Sequence, residues 1–191
     1  MDADTGRAVE LDLSDPTAWR LRAFALLYLE RWDTALEANA TAIKLEPEET
    51  TYVNERANIM NQLGRPADAL PLIDRALDMD KTHGSDVVFT ALTACTSYLL
   101  LGQAERAVAM CEKAAAGSSG SPRLQARLIA AYADHGDLGK ASAAKVELLR
   151  MMPGYTVAQA KAFDQPSHPE YAKLAEKYYY EGLRKAGIPE Q

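Results

Sequence analysis

Apolar and polar positions along residues 16–155 follow the period of an amphipathic helix, and the helical stretches come in pairs. In residues 16–49 the first helix sets Trp19, Ala23 and Leu26 on one face. The second sets Ala35, Leu36, Ala42, Ile43 and Leu45 on one face, and a turn with Pro47 follows. The pattern then repeats: Ala35 falls on Ala69, Ala42 on Ala76, Ile43 on Leu77 and Leu45 on Met79, an offset of 34 each time, which defines a second unit over 50–83. A third unit, 88–121, follows after 38 residues and puts Ala107 and Ala114 in the same places. Its delay predicts a longer turn over 81–87. A fourth, 122–155, returns to 34 with Ala141 matching Ala107. Gly64, Gly102 and Gly136 mark the turn inside a unit, with Glu30 in that place in the first; Pro47 and Pro153 mark the turn between units.

Each unit reads as two helices of about 13 residues, close to the usual helix length. Small residues at Ala35 and Ala42 let the two helices approach closely, and Gly supplies the left-handed residue that ends the first. Neither helix can bury its apolar face alone, so the units must stack.

The flanks extend the pattern. In 6–19, Ala8, Val9 and Leu11 match Ala42, Ile43 and Leu45 at the offset of 34. Residues 1–15 therefore read as the tail of a repeat whose first helix lies outside the sequence. The chain reads as part of a longer protein, with an open N-terminal face that suits a homodimer. Residues 156–191 read as capping helices: a short helix and turn over 156–166, then a helix over 167–187. Ser167 or His168 serves as its cap, Pro169 suits its first turn and Gly187 its end. Tyr171, Leu174, Ala175, Tyr178, Gly182, Leu183 and Ala186 form its apolar stripe, which predicts that it covers the exposed end of the stack. Of Tyr178, Tyr179 and Tyr180, two rings are expected to pack and one to face water.

Residues 16–155 resemble the tetratricopeptide repeat (TPR). The resemblance rests on Trp19, Ala35, Ala42 and Pro47 in the first unit and on Gly64, Ala69 and Ala76 in the second. Tyr98, Gly102, Ala107 and Ala114 carry it in the third, and Leu128, Tyr132, Gly136, Ala141 and Pro153 in the fourth. Lys81 stands where the second unit would have Pro, Pro66 opens its second helix, and Leu148 replaces a small residue in the fourth. The resemblance implies an all-α solenoid of antiparallel helix pairs in a right-handed superhelix, closed by a C-terminal capping helix, whose partners are proteins or peptides. The closing stretch, "LLRMMPGYTVAQAKAF" with "HPEY" and "EGLRKAGIPEQ", carries a second resemblance, on Pro153, Gly154, Phe163, Pro169, Gly182, Leu183, Gly187 and Pro189. It is similar to the C-termini of bacterial signalling proteins in which a TPR array follows a class III adenylate cyclase domain or a winged-helix DNA-binding domain. This implies the C-terminal regulatory region of an adenylate cyclase, acting on another domain of the same parent chain in cyclic nucleotide signalling. The TPR region of a winged-helix transcription regulator and a free-standing scaffold or chaperone adaptor are the alternatives.

In such arrays the first helices line the concave face. The register puts Arg20, Phe24, Leu27 and Tyr28 there from the first unit and Asn54, Asn58, Asn61 and Gln62 from the second. The third adds Phe89, Leu92, Thr96 and Leu99, and the fourth Arg123, Arg127 and Ala130. Amides suit an extended peptide backbone, and arginines suit a carboxylate. Against the carboxylate clamp of TPR domains that bind chaperone tails, Asn58 and Arg127 match and Arg123 keeps the charge, while Asn54 and Thr93 depart.

A net charge of −6 and a pI near 5.1 exclude an electrostatic case for nucleic acid or anionic membrane. The apolar run at 98–102 is far short of a membrane span. Residues 1–15 hold five carboxylates and one Arg, the wrong flank for a secretory signal. Two cysteines make no disulfide framework; Cys95 and Cys111 read as apolar packing, with a redox pair as the lesser alternative, and the setting reads as cytoplasmic. His83 in the long turn, His135 at a helix end and His168 at a cap have no metal-ligand spacing. The acidic 46–49 spans a turn and a helix start, and 116–122 is a linker without a phosphate-binding pattern. No catalytic, cofactor-binding or metal residues are assigned. The cyclase reaction of the resembled family needs metal-binding Asp residues on a mixed α/β domain, which these residues do not supply. The purified chain is therefore expected to form no cyclic AMP from ATP and Mn²⁺; product above a boiled control contradicts the non-enzymatic reading.

Overall fold

The computed structural model describes residues 2–83, 87–117, 121–164 and 168–191, and all regular structure among them is helical. Helix α1 (Asp2–Leu11) precedes four antiparallel pairs: α2 (Pro16–Tyr28) with α3 (Trp32–Leu45), α4 (Thr50–Gln62) with α5 (Pro66–His83), α6 (Val87–Leu100) with α7 (Ala104–Gly117), and α8 (Pro122–His135) with α9 (Leu138–Met151). The starts follow from local chemistry. The side chains of Asp15, Glu49, Ser121 and Asp137 each accept a hydrogen bond from a backbone N–H in the first turn of α2, α4, α8 and α9, groups that a helix leaves unpaired.

The recurring alanines set the spacing. Ala35, Ala42, Ala69, Ala76, Ala107 and Ala114 have no exposed surface, and Ala141 has almost none. Leu148, where the repeat has a small residue, is itself fully buried and joins the large core formed by the last two pairs and the C-terminal segment. Polar contacts stitch neighbouring pairs. Asn39 Nδ2 donates to the Tyr52 carbonyl at 3.0 Å. Asn61 Nδ2 donates to the Thr93 carbonyl at 3.2 Å, while its Oδ1 accepts from Ser97 Oγ at 2.8 Å. Tyr132 Oη donates to Glu112 at 2.8 Å.

Three expectations are corrected or extended. The turn predicted over 81–87 begins later, because α5 runs on to His83. Lys81 lacks the helix-stopping proline of that position and pairs with Asp78 at 2.7 Å one turn back. Residues 84–86 of the expected turn, 118–120 of the expected linker and Ser167 lie outside the described residues. Cys95 and Cys111 are fully buried on facing helices, as packing required, and they are joined by a disulfide between α6 and α7 rather than held as thiols.

The C-terminal segment does more than close the stack. After α10 (Val157–Phe163), a helix spans 169–185 as α11 (Pro169–Leu174), a π-helical stretch (Ala175–Tyr180) and α12 (Glu181–Lys185), capped by the His168 side chain. Its second half covers α8, where a Cβ on Gly182 would stand 2.9 Å from the Ala130 backbone, so only glycine allows this approach. Its first half continues past α6 to the earlier units. Tyr178 lies on the Gly102 turn, the His168 N–H donates to the Gln62 carbonyl, and the His168 ring meets Trp32 edge-on. Tyr179 and Tyr180 are buried and Tyr178 is half-buried.

Glu30 adopts φ 58°, the left-handed conformation that Gly64, Gly102 and Gly136 take at the matching turns. A side chain costs about 1–2 kcal/mol there. Replacing Glu30 with Gly is expected to raise Tm by about 2–4 °C; an unchanged or lower Tm in a thermal melt would show that the Glu30 side chain offsets this strain.

Candidate functional site

One cleft of about 380 Å³ opens on the inner side of the array. Phe24, Leu27 and Tyr28 of α2 form one wall, and Asn58 and Gln62 of α4 follow. Phe89, Leu92, Thr93 and Thr96 of α6 form the middle, and Ser121, Arg123 and Arg127 lie at the far end. Phe163 and Asp164, at the end of α10 and just past it, close it. All three phenylalanines of the chain line this one cleft. Phe24 is 52% exposed, Tyr28 49% and Phe163 39%, so the aromatic surface faces solvent rather than the core. The rings of Phe24 and Tyr28 lie 4.9 Å apart, and Phe163 stacks on Tyr155 at 6.3 Å. Exposed aromatic surface gathered in one concavity marks an interaction site more than scattered exposed residues do.

The polar groups divide into satisfied and available ones. Thr93 and Thr96 turn their hydroxyls back onto the carbonyls of Phe89 and Leu92, so they present methyl groups to the cleft. Asn58 and Gln62 bring amides to its wall, and Gln62 Oε1 is buried without a hydrogen-bond partner among the described residues. In a side chamber, Arg20 donates to Glu55 at 2.6 Å. Burial pushes the Glu55 carboxyl up, and Arg20 opposes that shift.

The closed end is built around Asp164, which is 3% exposed. It accepts from Arg127 at 3.2 Å, Arg123 at 3.3 Å, Tyr171 at 2.8 Å and Tyr180 at 3.0 Å. Burial and then the nearby carboxylate push both phenols up, so both stay protonated donors at neutral pH. Burial, the largest single effect, works against the charge on Arg127, but Asp164 together with the surrounding tyrosines outweighs it and the net shift is upward. The Arg127 guanidinium also lies 5.4 Å from the Tyr179 ring centroid.

The residues selected from sequence fall into three groups. Phe24, Tyr28, Asn58, Gln62, Phe89, Leu92, Thr96 and Arg123 come together in the cleft, and Arg20 lines its side chamber. Asn54 and Asn61 do not line it. Both are buried, and Asn61 is spent on joining α4 to α6. Leu99 is core and Ala130 is covered by the C-terminal helix. Arg127 reaches the cleft end but is committed to Asp164 and Tyr179, so it is no open clamp for a partner's carboxylate. Sequence reading missed Thr93, Ser121, Phe163 and Asp164 as lining groups. The signal for Phe163 was that it is the one aromatic residue of 156–166.

No metal-binding cluster of three or more His, Cys, Asp or Glu occurs among the described residues, and no helix among them is long and apolar enough to cross a membrane.

No family model matches the chain, and no curated protein matches it. Solved structures do. PilW, a widely conserved type IV pilus biogenesis factor, superposes with a TM-score of 0.73 at 24% identity, over 95% of this chain and 87% of that one. YrrB, a TPR protein with an unusual peptide-binding site, gives 0.64 at 18% identity over 95% and 90%. A thermophilic TPR protein of Thermus thermophilus gives 0.64 at 21% over 90% and 87%. The fold is a TPR-type α-solenoid.

Removing the Asp164 charge leaves Arg127 buried without its counter-ion. Asp164→Asn is expected to cost about 3–5 kcal/mol in urea unfolding. Arg123→Gln, at a half-exposed partner, should cost under about 1 kcal/mol. Equal losses would show that the two arginines share the role.

Proposed function

We propose that this chain is a non-catalytic interaction module that receives a segment of a partner protein, or of another domain of its parent chain, in the inner cleft. The observation that carries this reading is the set of solvent-facing aromatic rings, Phe24 and Tyr28 on one wall and Phe163 at the closed end, with the Asn58 and Gln62 amides between them in a concave site. Apolar walls with a few fixed polar groups are what a binding site requires. The neighbour with an unusual peptide-binding site supports the same reading by fold alone.

The finer reading, regulation of a bacterial adenylate cyclase by its own C-terminal array, is supported by the resemblance of residues 148–191 in sequence. The Cys95–Cys111 disulfide favours a second reading, in which the module works in an oxidising compartment rather than the cytoplasm. A cyclase consuming intracellular ATP belongs on the reducing side, so the thiol state separates the two. Acid-quenching whole cells and alkylating the chain under denaturing conditions, because both cysteines are buried when it is folded, is expected to leave both unlabelled under the second reading and to label both under the cyclase reading.

The interaction itself is tested by panning random 12-residue peptides over the intact chain. Enriched peptides are expected to lose at least about tenfold in affinity on Phe24→Ala, the effect of withdrawing one buried aromatic contact. No enrichment, or binders indifferent to every cleft substitution, would remove the cleft from the function.

A further inference from the structure

The C-terminal helix changes what the cleft can hold. The inner face of α8 beyond Arg123 is occupied by this chain itself, with Gly182 against Ala130 and Tyr179 against Arg127. Asp164, held by four donors, ties that helix to α8 at the closed end of the cleft. The covering helix is part of the core. Tyr171, Ala175 and Leu183 have essentially no exposed surface, so an incoming segment does not displace it. What remains is a cleft of about 380 Å³ closed at its α8 end, near the lower end for ligand pockets and suited in volume to a short segment.

Its chemistry is uneven along its length. The open end, over α2, is aromatic. The closed end carries two guanidiniums against one carboxylate among the lining residues, and Arg123 remains 48% exposed there. A local excess of positive charge on a chain of net charge −6 favours an anionic group at that end.

Building on the groove reading, we propose that the cleft takes a short partner segment with one bulky apolar side chain followed closely by an acidic one. The apolar side chain packs among Phe24, Phe89 and Phe163, and the carboxylate meets the half-exposed Arg123 at the closed end. Asn58 and Gln62 face the backbone between them.

The probe is the fluorescein-labelled, end-blocked tetrapeptide Gly-Phe-Glu-Gly, titrated with the intact chain and read by anisotropy. Saturable binding is expected. It should weaken at least about tenfold when the probe's Phe becomes Ala or when Phe24 becomes Ala. It should weaken about two- to fivefold when the probe's Glu becomes Gln, with further loss as salt rises. Arg123→Gln should remove the preference for Glu over Gln. Phe24 is exposed and Arg123 half-exposed, so both variants should stay folded, with a circular dichroism melt within about 4 °C of the wild type. If the tetrapeptide fails to bind while panned 12-residue peptides do, the short-segment inference is overturned and the interaction reading stands. Equal affinity for Glu and Gln probes overturns the acidic requirement. Failure of both peptide classes overturns both readings.

Discussion

The distance between helices is fixed by residues that have almost nothing to them. Seven alanines at matching register positions are buried at or near zero exposure, and each lets the backbone of its partner helix come close enough for larger side chains beside it to interlock. A larger residue at any one would push a pair apart, and the displacement would pass to the next pair, because a solenoid has only nearest-neighbour contacts. The inner cleft inherits its width from this spacing. Phe24 and Phe89 line it from α2 and α6, helices of alanine-spaced pairs, and Phe163 joins them from the end of α10.

The C-terminal segment turns an open stack into a braced one. Helices in a solenoid can flex against one another, since no contact reaches beyond the adjacent unit. Here the helix over 169–185 spans from Trp32 of the first pair to Asp134 of the fourth, through His168 at one end and Lys185 at the other. The buried Asp164 anchors it. A buried carboxylate is costly unless its lone pairs are filled, and two guanidiniums and two phenols fill them. The energetic value of this cluster lies less in the strength of any one bond than in the penalty for disassembling it. The segment is therefore pinned at one place on the inner face, and the far end of the cleft is pinned with it.

The repeat was legible because its signal is dense: a small residue at two fixed places in three units and at one in the fourth, a turn residue between the helices, and a period of 34. The cleft was legible only in outline. At about 100° per residue, Asn54 and Asn61 lie within about 20° of each other on α4, and Asn58 and Gln62 lie about 40–80° round from Asn54. All four look alike in a repeat register, yet the first two are buried, with Asn61 in the seam with α6, and the others face the cleft. The far wall was not legible. Asp164 lies 41 residues beyond Arg123, outside the repeat, and its partners Tyr171 and Tyr180 come from a helix whose return path no periodicity encodes. The same holds for the disulfide, whose cysteines satisfied the small-apolar pattern of their positions and so carried no separate mark.

That disulfide sits at a consequential place. It ties α7 to α6, the helix that supplies Phe89, Leu92, Thr93 and Thr96 to the middle of the cleft and accepts the Asn61 contact from α4. With the C-terminal helix bracing one side of α6 and the covalent link holding another, the middle wall has little freedom to adjust. A rigid wall loses little entropy when a ligand arrives, which is how a small cleft reaches useful affinity from few contacts. It also limits which shapes are accepted, because the wall does not reform around a poor fit. The three exposed aromatic rings are then positioned before any partner is present, and selectivity rests on their fixed spacing.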